Sequence, residues 1–249
     1  MIDVTEQGEI AVVTMRYGKA NALDVALCEA LALRFEHLRG SSSRAVVLAG
    51  QGKIFSAGVD LPRLLDGGAD YVRAFLPALH RLYDTVFNFP KPVVAAINGH
   101  AIAGGCILAC CADRRLMVRE GARMGVTEIL VGVPFPPMAF EVMRAATSVR
   151  LFPEAMLTGA TFPPQQAMER GWVHELVDHA ELTDRALAVA EQLAAVAPAA
   201  YAMTKRQIRA PAAERVASSG ALDAEITAIW TAPQTLAHVK EFVARTLKK

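Results

Sequence analysis

Val93-Val94-Ala95-Ala96-Ile97-Asn98-Gly99-His100-Ala101-Ile102-Ala103-Gly104-Gly105-Cys106-Ile107-Leu108 is the stretch on which the reading of this chain turns. Val93–Ile97 is a short, wholly apolar run, which suits a strand covered on both faces. Asn98-Gly99 ends it. The Gly104-Gly105 pair then stands near the start of a helix of small residues, Ala103–Cys111. Such a start leaves N–H groups that no earlier carbonyl satisfies, and the aligned peptide dipoles add positive potential there. The plain alternative is a helix whose close packing demands glycine. This segment alone favours neither.

Upstream, Ala45–Ala49 is a second buried-strand candidate, followed by Gly50-Gln51-Gly52 and Phe55-Ser56-Ala57-Gly58-Val59-Asp60-Leu61. Small residues at 56–58 let a ligand approach the backbone closely, and Asp60 can cap the turn that follows. By itself this reads as a tight turn that binds nothing. The two segments together are more specific. A thioester enolate carries its charge on oxygen. Two converging backbone N–H donors from separate segments stabilise that oxygen without any proton ambiguity, and losing one costs about 3–4 kcal/mol in the transition state.

Around these segments the chain alternates strand and helix. Ile2–Thr5 and Glu9–Met15 read as strands joined by Glu6-Gln7-Gly8. Asp24 caps a helix with Leu27, Leu31, Phe35 and Leu38 on one face. A helix over 69–88 carries Val72, Phe75, Leu76, Leu79, Leu82 and Val86, with Pro77 as its expected kink and Pro90-Lys91-Pro92 as its stop. Arg115–Val118 is a further strand. Val133-Pro134-Phe135-Pro136-Pro137 is a rigid turn before a helix near Met138. Pro163-Pro164 opens a helix that Gly171 ends, and Trp172–Val177 is a short strand. From Glu181 the pattern is helical, with breaks expected at Pro198, Pro211 and Pro233. The fold class is α/β, with a core over 1–190 and a helical region over 191–249.

Composition narrows the rest. The 249 residues are 53% hydrophobic, enough for a large core, and 26 basic residues face 25 acidic ones. A formal charge of +1 gives no case for nucleic acid or an acidic membrane surface. No run of about 18 apolar residues calls for a membrane span, and the acidic start has no signal-peptide pattern. The cysteines at 28, 106, 110 and 111 lack C-x-x-C spacing, so free thiols in a cytoplasmic protein, and no metal site, are expected.

The sequence resembles the crotonase superfamily, the enoyl-CoA hydratases and isomerases. The resemblance is carried by Lys19-Ala20-Asn21-Ala22-Leu23, Lys53–Leu61 and Val93–Leu108, and by the 158–177 stretch with Phe162-Pro163-Pro164 and Gly171. It runs over nearly the whole chain and is loosest in the helical tail. It implies a ClpP-like spiral of ββα units with a C-terminal helical region used in trimer formation, hence a homotrimer or homohexamer. It implies an acyl-CoA thioester substrate and no separate cofactor. The oxyanion hole would be the N–H groups of Ala57 and Gly104, with coenzyme A along Ala57, Gly58, Val59 and Asp60 and near Ala22.

The same resemblance exposes a departure. Hydratases carry one glutamate three residues after the second oxyanion glycine, which here is Ile107. The other opens a Glu-x-x-x-Gly segment, here Glu128 ahead of Gly132. Isoleucine cannot orient water for addition across a double bond. A single carboxylate suffices to take a proton from one carbon and return it to another, provided its pKa is raised by an apolar setting. Gly132-Val133-Pro134-Phe135 and Phe162-Pro163-Pro164 also look closer to the Δ3,Δ2-enoyl-CoA isomerases. Isomerisation with Glu128 as proton shuttle is therefore the favoured expectation. Hydratase-like, hydrolase or decarboxylase chemistry on this scaffold is the alternative, and a non-catalytic acyl-CoA-binding protein is another.

Other residues attract less. Ser56, His100 and Asp113 suggest a hydrolase triad, but no G-x-S-x-G elbow is present, and a structural histidine is the plainer reading of His100. Cys106 and Cys110, one helical turn apart, read as core. Lys205-Arg206 and Lys240 are either contacts for a coenzyme A phosphate or, more simply, a solvated charged face.

Overall fold

Three successive strand–strand–helix units generate the architecture. In the computed structural model, which describes residues 1–246, the chain runs β1 (Ile2–Gln7), β2 (Ile10–Met15), α1 (Val25–Arg39), β3 (Ala45–Gly50), β4 (Ile54–Ser56) and α2 (Leu61–Phe87). It continues through β5 (Val93–Ile97), β6 (His100–Ile102), α3 (Gly104–Cys110), β7 (Arg114–Val118), β8 (Met124–Gly125), α4 (Glu128–Val131), α5 (Pro137–Ala146) and α6 (Phe152–Thr158). Then come β9 (Thr161–Phe162), α7 (Pro164–Glu169), β10 (Glu175–Val177), α8 (Leu182–Ala194), α9 (Pro198–Ala217), α10 (Gly220–Thr231) and α11 (Pro233–Thr246). In the three units β3-β4-α2, β5-β6-α3 and β7-β8-α4 the first strand joins a six-stranded sheet, ordered β1-β2-β3-β5-β7-β10, which β1 and β2 extend, and the second joins a four-stranded sheet, ordered β4-β6-β8-β9. All pairs in the large sheet are parallel except β1 with β2. In the small sheet, β4, β6 and β8 run parallel and β9 antiparallel. The result is the expected α/β spiral of ββα units with a helical C-terminal region.

The apolar runs behave as their composition requires. Every residue of β5 is buried, as a strand covered on both faces must be. On α1, Leu27, Leu31, Phe35 and Leu38 are all buried. Its cap is Asp24, whose Oδ1 accepts from the Leu27 N–H at 2.8 Å. The Tyr17 hydroxyl donates to the other Asp24 oxygen at 2.7 Å.

Two proline expectations need correction. The helix expected over 69–88 is the longer part of α2: a short helical stretch from Leu61 precedes it, the break between the two is at Gly68 (φ 59, ψ −152), and Pro77 lies within the longer part without breaking it. Pro211 likewise lies inside α9 and does not end it. Both prolines, and Arg73 and Gln207 four residues before them, are exposed. The carbonyl deprived of its N–H partner is therefore left to water, which softens the usual penalty. The strand expected over Trp172–Val177 is confined to Glu175–Val177, and buried Trp172 instead donates its indole N–H to Thr147 Oγ1 at 2.8 Å.

The C-terminal helices are pinned to the spiral by few, specific contacts. α8 packs on β3 and β5, while α10 and α11 lie against α2, and α11 also meets α4. The Trp230 indole donates to Pro134 O at 2.8 Å. Asp113 is half-buried under α9 and accepts from Lys205 Nζ and Arg209 Nη2, each at 2.6 Å, and from the Val93 N–H at 2.8 Å. No single helix among the described residues is long and apolar enough to cross a membrane.

Candidate active site

The two glycine-bearing segments end neighbouring strands of the small sheet, and they interlock. Gly58 has φ +85, and a Cβ there would stand 2.7 Å from Ile102 O and 3.0 Å from Gly104 N. A Cβ on Gly105 would strike the backbone and Cβ of Ser56. Only glycine permits this approach of one loop to the other. The Ala20–Leu23 segment straps both together. Leu23 N donates to Gly58 O at 2.7 Å and Asp60 N to Leu23 O at 2.9 Å. Asn21 takes a positive φ of 47 and secures it locally: its Oδ1 accepts from the Tyr17 N–H at 2.9 Å, and its amide donates to Phe55 O at 3.1 Å. Ser56 Oγ donates to Asn21 O at 2.8 Å and accepts from the Gly58 N–H at 3.2 Å.

The expected pair of open N–H donors needs a correction on one side. The Ala57 N–H donates to Ala20 O at 2.9 Å, because the strap lies within reach of it. Ala57 itself is exposed, and Ala22, Val59 and Asp60 are half-buried along the same edge. On the other side, Ala103 precedes α3 with φ 49 and ψ −125 and supplies no side-chain cap. Among the described residues the Gly104 and Gly105 N–H groups have no acceptor. The Tyr83 hydroxyl donates to Gly104 O at 3.0 Å.

Glu128 opens α4 and is buried, with 5% of its surface exposed. Its Oε2 has no hydrogen-bond partner. Burial pushes its carboxyl up to about 8, and hydrogen bonding to the Glu128 and Thr127 backbone only partly opposes this. Its charge is felt by Tyr83 and Cys106, both fully buried, though burial itself is the larger cause of the rise in each of their pKa values. Glu128 thus lies near enough to Tyr83 and to Cys106 of α3 for its charge to reach both. Ile107 is buried in that helix. The arrangement is an ionisable base of raised pKa close to a strained turn with open N–H donors.

Several expected groups fall elsewhere. His100 Nδ1 accepts from the Arg123 N–H at 3.1 Å. With Ser56 and Asp113 both committed to other partners, the three do not form a triad. Lys205 is neither a solvated charge nor a free phosphate contact, since it is buried against Asp113. Arg206 and Lys240 are exposed. The four cysteines are free and buried. Among the described residues no group of three His, Cys, Asp or Glu side chains stands close enough to hold a metal. Tyr83 and the Asp113 cluster went unread in the sequence. Tyr83 sits one position past the apolar stripe residue Leu82, where nothing distinguishes it from core.

Residues 5–244 match the family described as enoyl-CoA hydratase/isomerase. The chain is 33% identical over 216 residues to the carnitinyl-CoA dehydratase of Salmonella paratyphi B, covering 84% of this chain and 80% of that one. An apo enoyl-CoA isomerase of Mycobacterium tuberculosis superposes with a TM-score of 0.81 at 29% identity, over 92% of this chain and 96% of that one. The human mitochondrial Δ3,Δ2-enoyl-CoA isomerase superposes with a TM-score of 0.94 over 99% and 98% of the two chains; at 23% identity this is a likeness of fold.

Proposed function

The chain belongs to the enoyl-CoA hydratase/isomerase family of acyl-CoA enzymes, and from that premise we propose that it moves a carbon–carbon double bond of an enoyl-CoA from the 3 to the 2 position. The observation that carries this reading is Glu128, buried with an unpartnered Oε2, while Ile107 occupies the place of a second carboxylate. Ionised Glu128 takes a proton from C2 of the acyl group. The electron pair spreads onto the thioester oxygen, which accepts the Gly104 N–H and the Ala57 N–H. The latter is shared with, or released from, Ala20 O as the oxygen arrives. Protonated Glu128 then returns the proton to C4, leaving the double bond conjugated with the carbonyl. Coenzyme A lies along Ala22, Ala57, Gly58, Val59 and Asp60, and no further cofactor takes part.

The Mycobacterium tuberculosis protein to which the chain is similar is described both as an enoyl-CoA isomerase and as a probable enoyl-CoA hydratase, so the choice rests on Glu128 and Ile107. The likeness to a carnitinyl-CoA dehydratase favours a second reading, in which water is added or removed on the same scaffold. One assay separates them. Purified protein is expected to convert a 3-enoyl-CoA to the 2-enoyl-CoA, followed by ultraviolet absorbance. The Glu128→Gln variant is expected to lose about 10²–10⁴ of that rate. Full activity in the variant overturns the role of Glu128, and fast hydration of a 2-enoyl-CoA by the wild type favours the second reading.

The working form in this proposal is a homotrimer or homohexamer built through the helical region over 191–249. Exposed apolar side chains in that region support an assembly: Ile208 is 74% and Leu222 53% exposed.

A further inference from the structure

We propose that Tyr83 is a positioning residue whose hydroxyl, donated to Gly104 O, holds the strained Ala103–Gly104 turn so that the Gly104 N–H faces the substrate carbonyl. This inference rests on the acyl-CoA reading above.

Its starting point is the backbone of Ala103. A non-glycine residue at φ 49 and ψ −125 lies in a region that L side chains rarely occupy, and such residues persist only where their surroundings over-determine them. The ψ of Ala103 sets the plane of the peptide that carries the Gly104 N–H. Relaxation of Ala103 to an ordinary conformation would therefore swing that N–H away from its present direction.

The surroundings supply the restraint from three sides. The Ala103 N–H donates to Gly125 O at 2.7 Å, and Ala103 O accepts from Cys106 N at 2.9 Å and Ile107 N at 3.2 Å. Ala103 O belongs to the same peptide as the Gly104 N–H, so these bonds from the first turn of α3 set the plane of that peptide, and the hold on Gly104 O in turn anchors that first turn. The Gly104 carbonyl is held by Tyr83 at 3.0 Å, and among the described residues this is the one side-chain hydrogen bond to the turn 103–105. The fit is close, because a Cβ on Gly104 would stand 2.8 Å from the Tyr83 hydroxyl and 3.0 Å from Leu23 Cδ1. Tyr83 is buried on α2, a long helix that the core locks in place, so its hydroxyl is a fixed anchor.

The test is Tyr83→Phe, which keeps the ring and removes the anchor. The probe is a conjugated 2,4-dienoyl thioester of coenzyme A, whose absorbance moves to longer wavelength when its carbonyl is polarised. Wild-type protein is expected to shift it, and the Phe variant to shift it less than half as far. The variant's kcat on a 3-enoyl-CoA is expected to fall about tenfold, with KM within about twofold, the pattern of a lost transition-state interaction. The same shift and kcat in both proteins would reduce Tyr83 to packing and overturn the proposal. A moved midpoint in the pH–rate profile would also overturn it, since Tyr83 would then be acting on Glu128. A wild type that binds the probe without any shift would instead sink the acyl-CoA reading of the site.

Discussion

Glu128 concentrates the chemistry in one proton. A base must be ionised to work, so kcat/KM is expected to rise with pH through a midpoint at about 8 and to stand about 100-fold below its plateau two units lower. A midpoint near the ordinary carboxylate value, read from initial rates across pH, would show that Glu128 is better solvated than its burial implies. Stability carries the opposite sign. Between the ordinary value of 4.5 and about 8 the folded protein holds a proton that the unfolded chain releases. Raising pH through that window therefore destabilises the fold. Glu128→Gln removes this loss, so the variant is expected to melt above wild type near pH 8, with the gap closing towards pH 5. Calorimetry across that range checks it. At this scale the sequence spoke only through motif: Glu128 stood out because Gly132 follows at the family spacing. The Ala57 N–H could not be foreseen as engaged, because its acceptor, Ala20 O, lies 37 residues away and no pattern of side chains records a backbone carbonyl.

Secondary-structure elements were readable in proportion to their length. α1 and β5 announced themselves by period and by apolar content, but β4, β6, β8 and β9 have only two or three residues each, too few for any alternation to register. The small sheet that carries both candidate loops was therefore invisible beforehand, although the loops were not. Prolines misled for a physical reason: a proline on an exposed helix face costs less than one in a buried ladder, so Pro77 and Pro211 bound no helix. The Asp113 cluster makes a prediction at this scale. Asp113→Ala leaves Lys205 and Arg209 buried without their counter-charge and is expected to cost about 3–5 kcal/mol in urea unfolding. A loss below about 1 kcal/mol would mean that water reaches both cations and that α9 is held by apolar contact alone.

Across the whole molecule, the last two helices close the spiral over α2 and α4, so residues far apart in sequence shape one site. Trp230→Phe keeps the ring and removes the bond to Pro134 O, and is expected to lower stability by about 1 kcal/mol, read as a shift in melting temperature. No change would leave shape alone to hold α10. Light scattering is expected to report three or six copies in solution, and a monomer would count against an assembly built on the 191–249 region. One consequence of the interlocked glycines reaches past this protein. Because Gly58 and Gly105 leave no room for a β-carbon, the paired loops can only be inherited together, and a lineage that alters either must rebuild both. The buried side chains at 107 and 128 carry no such obligation. Descent can therefore vary the reagent while keeping the vessel, and a designer seeking a different reaction here would begin at Ile107 rather than in the loops.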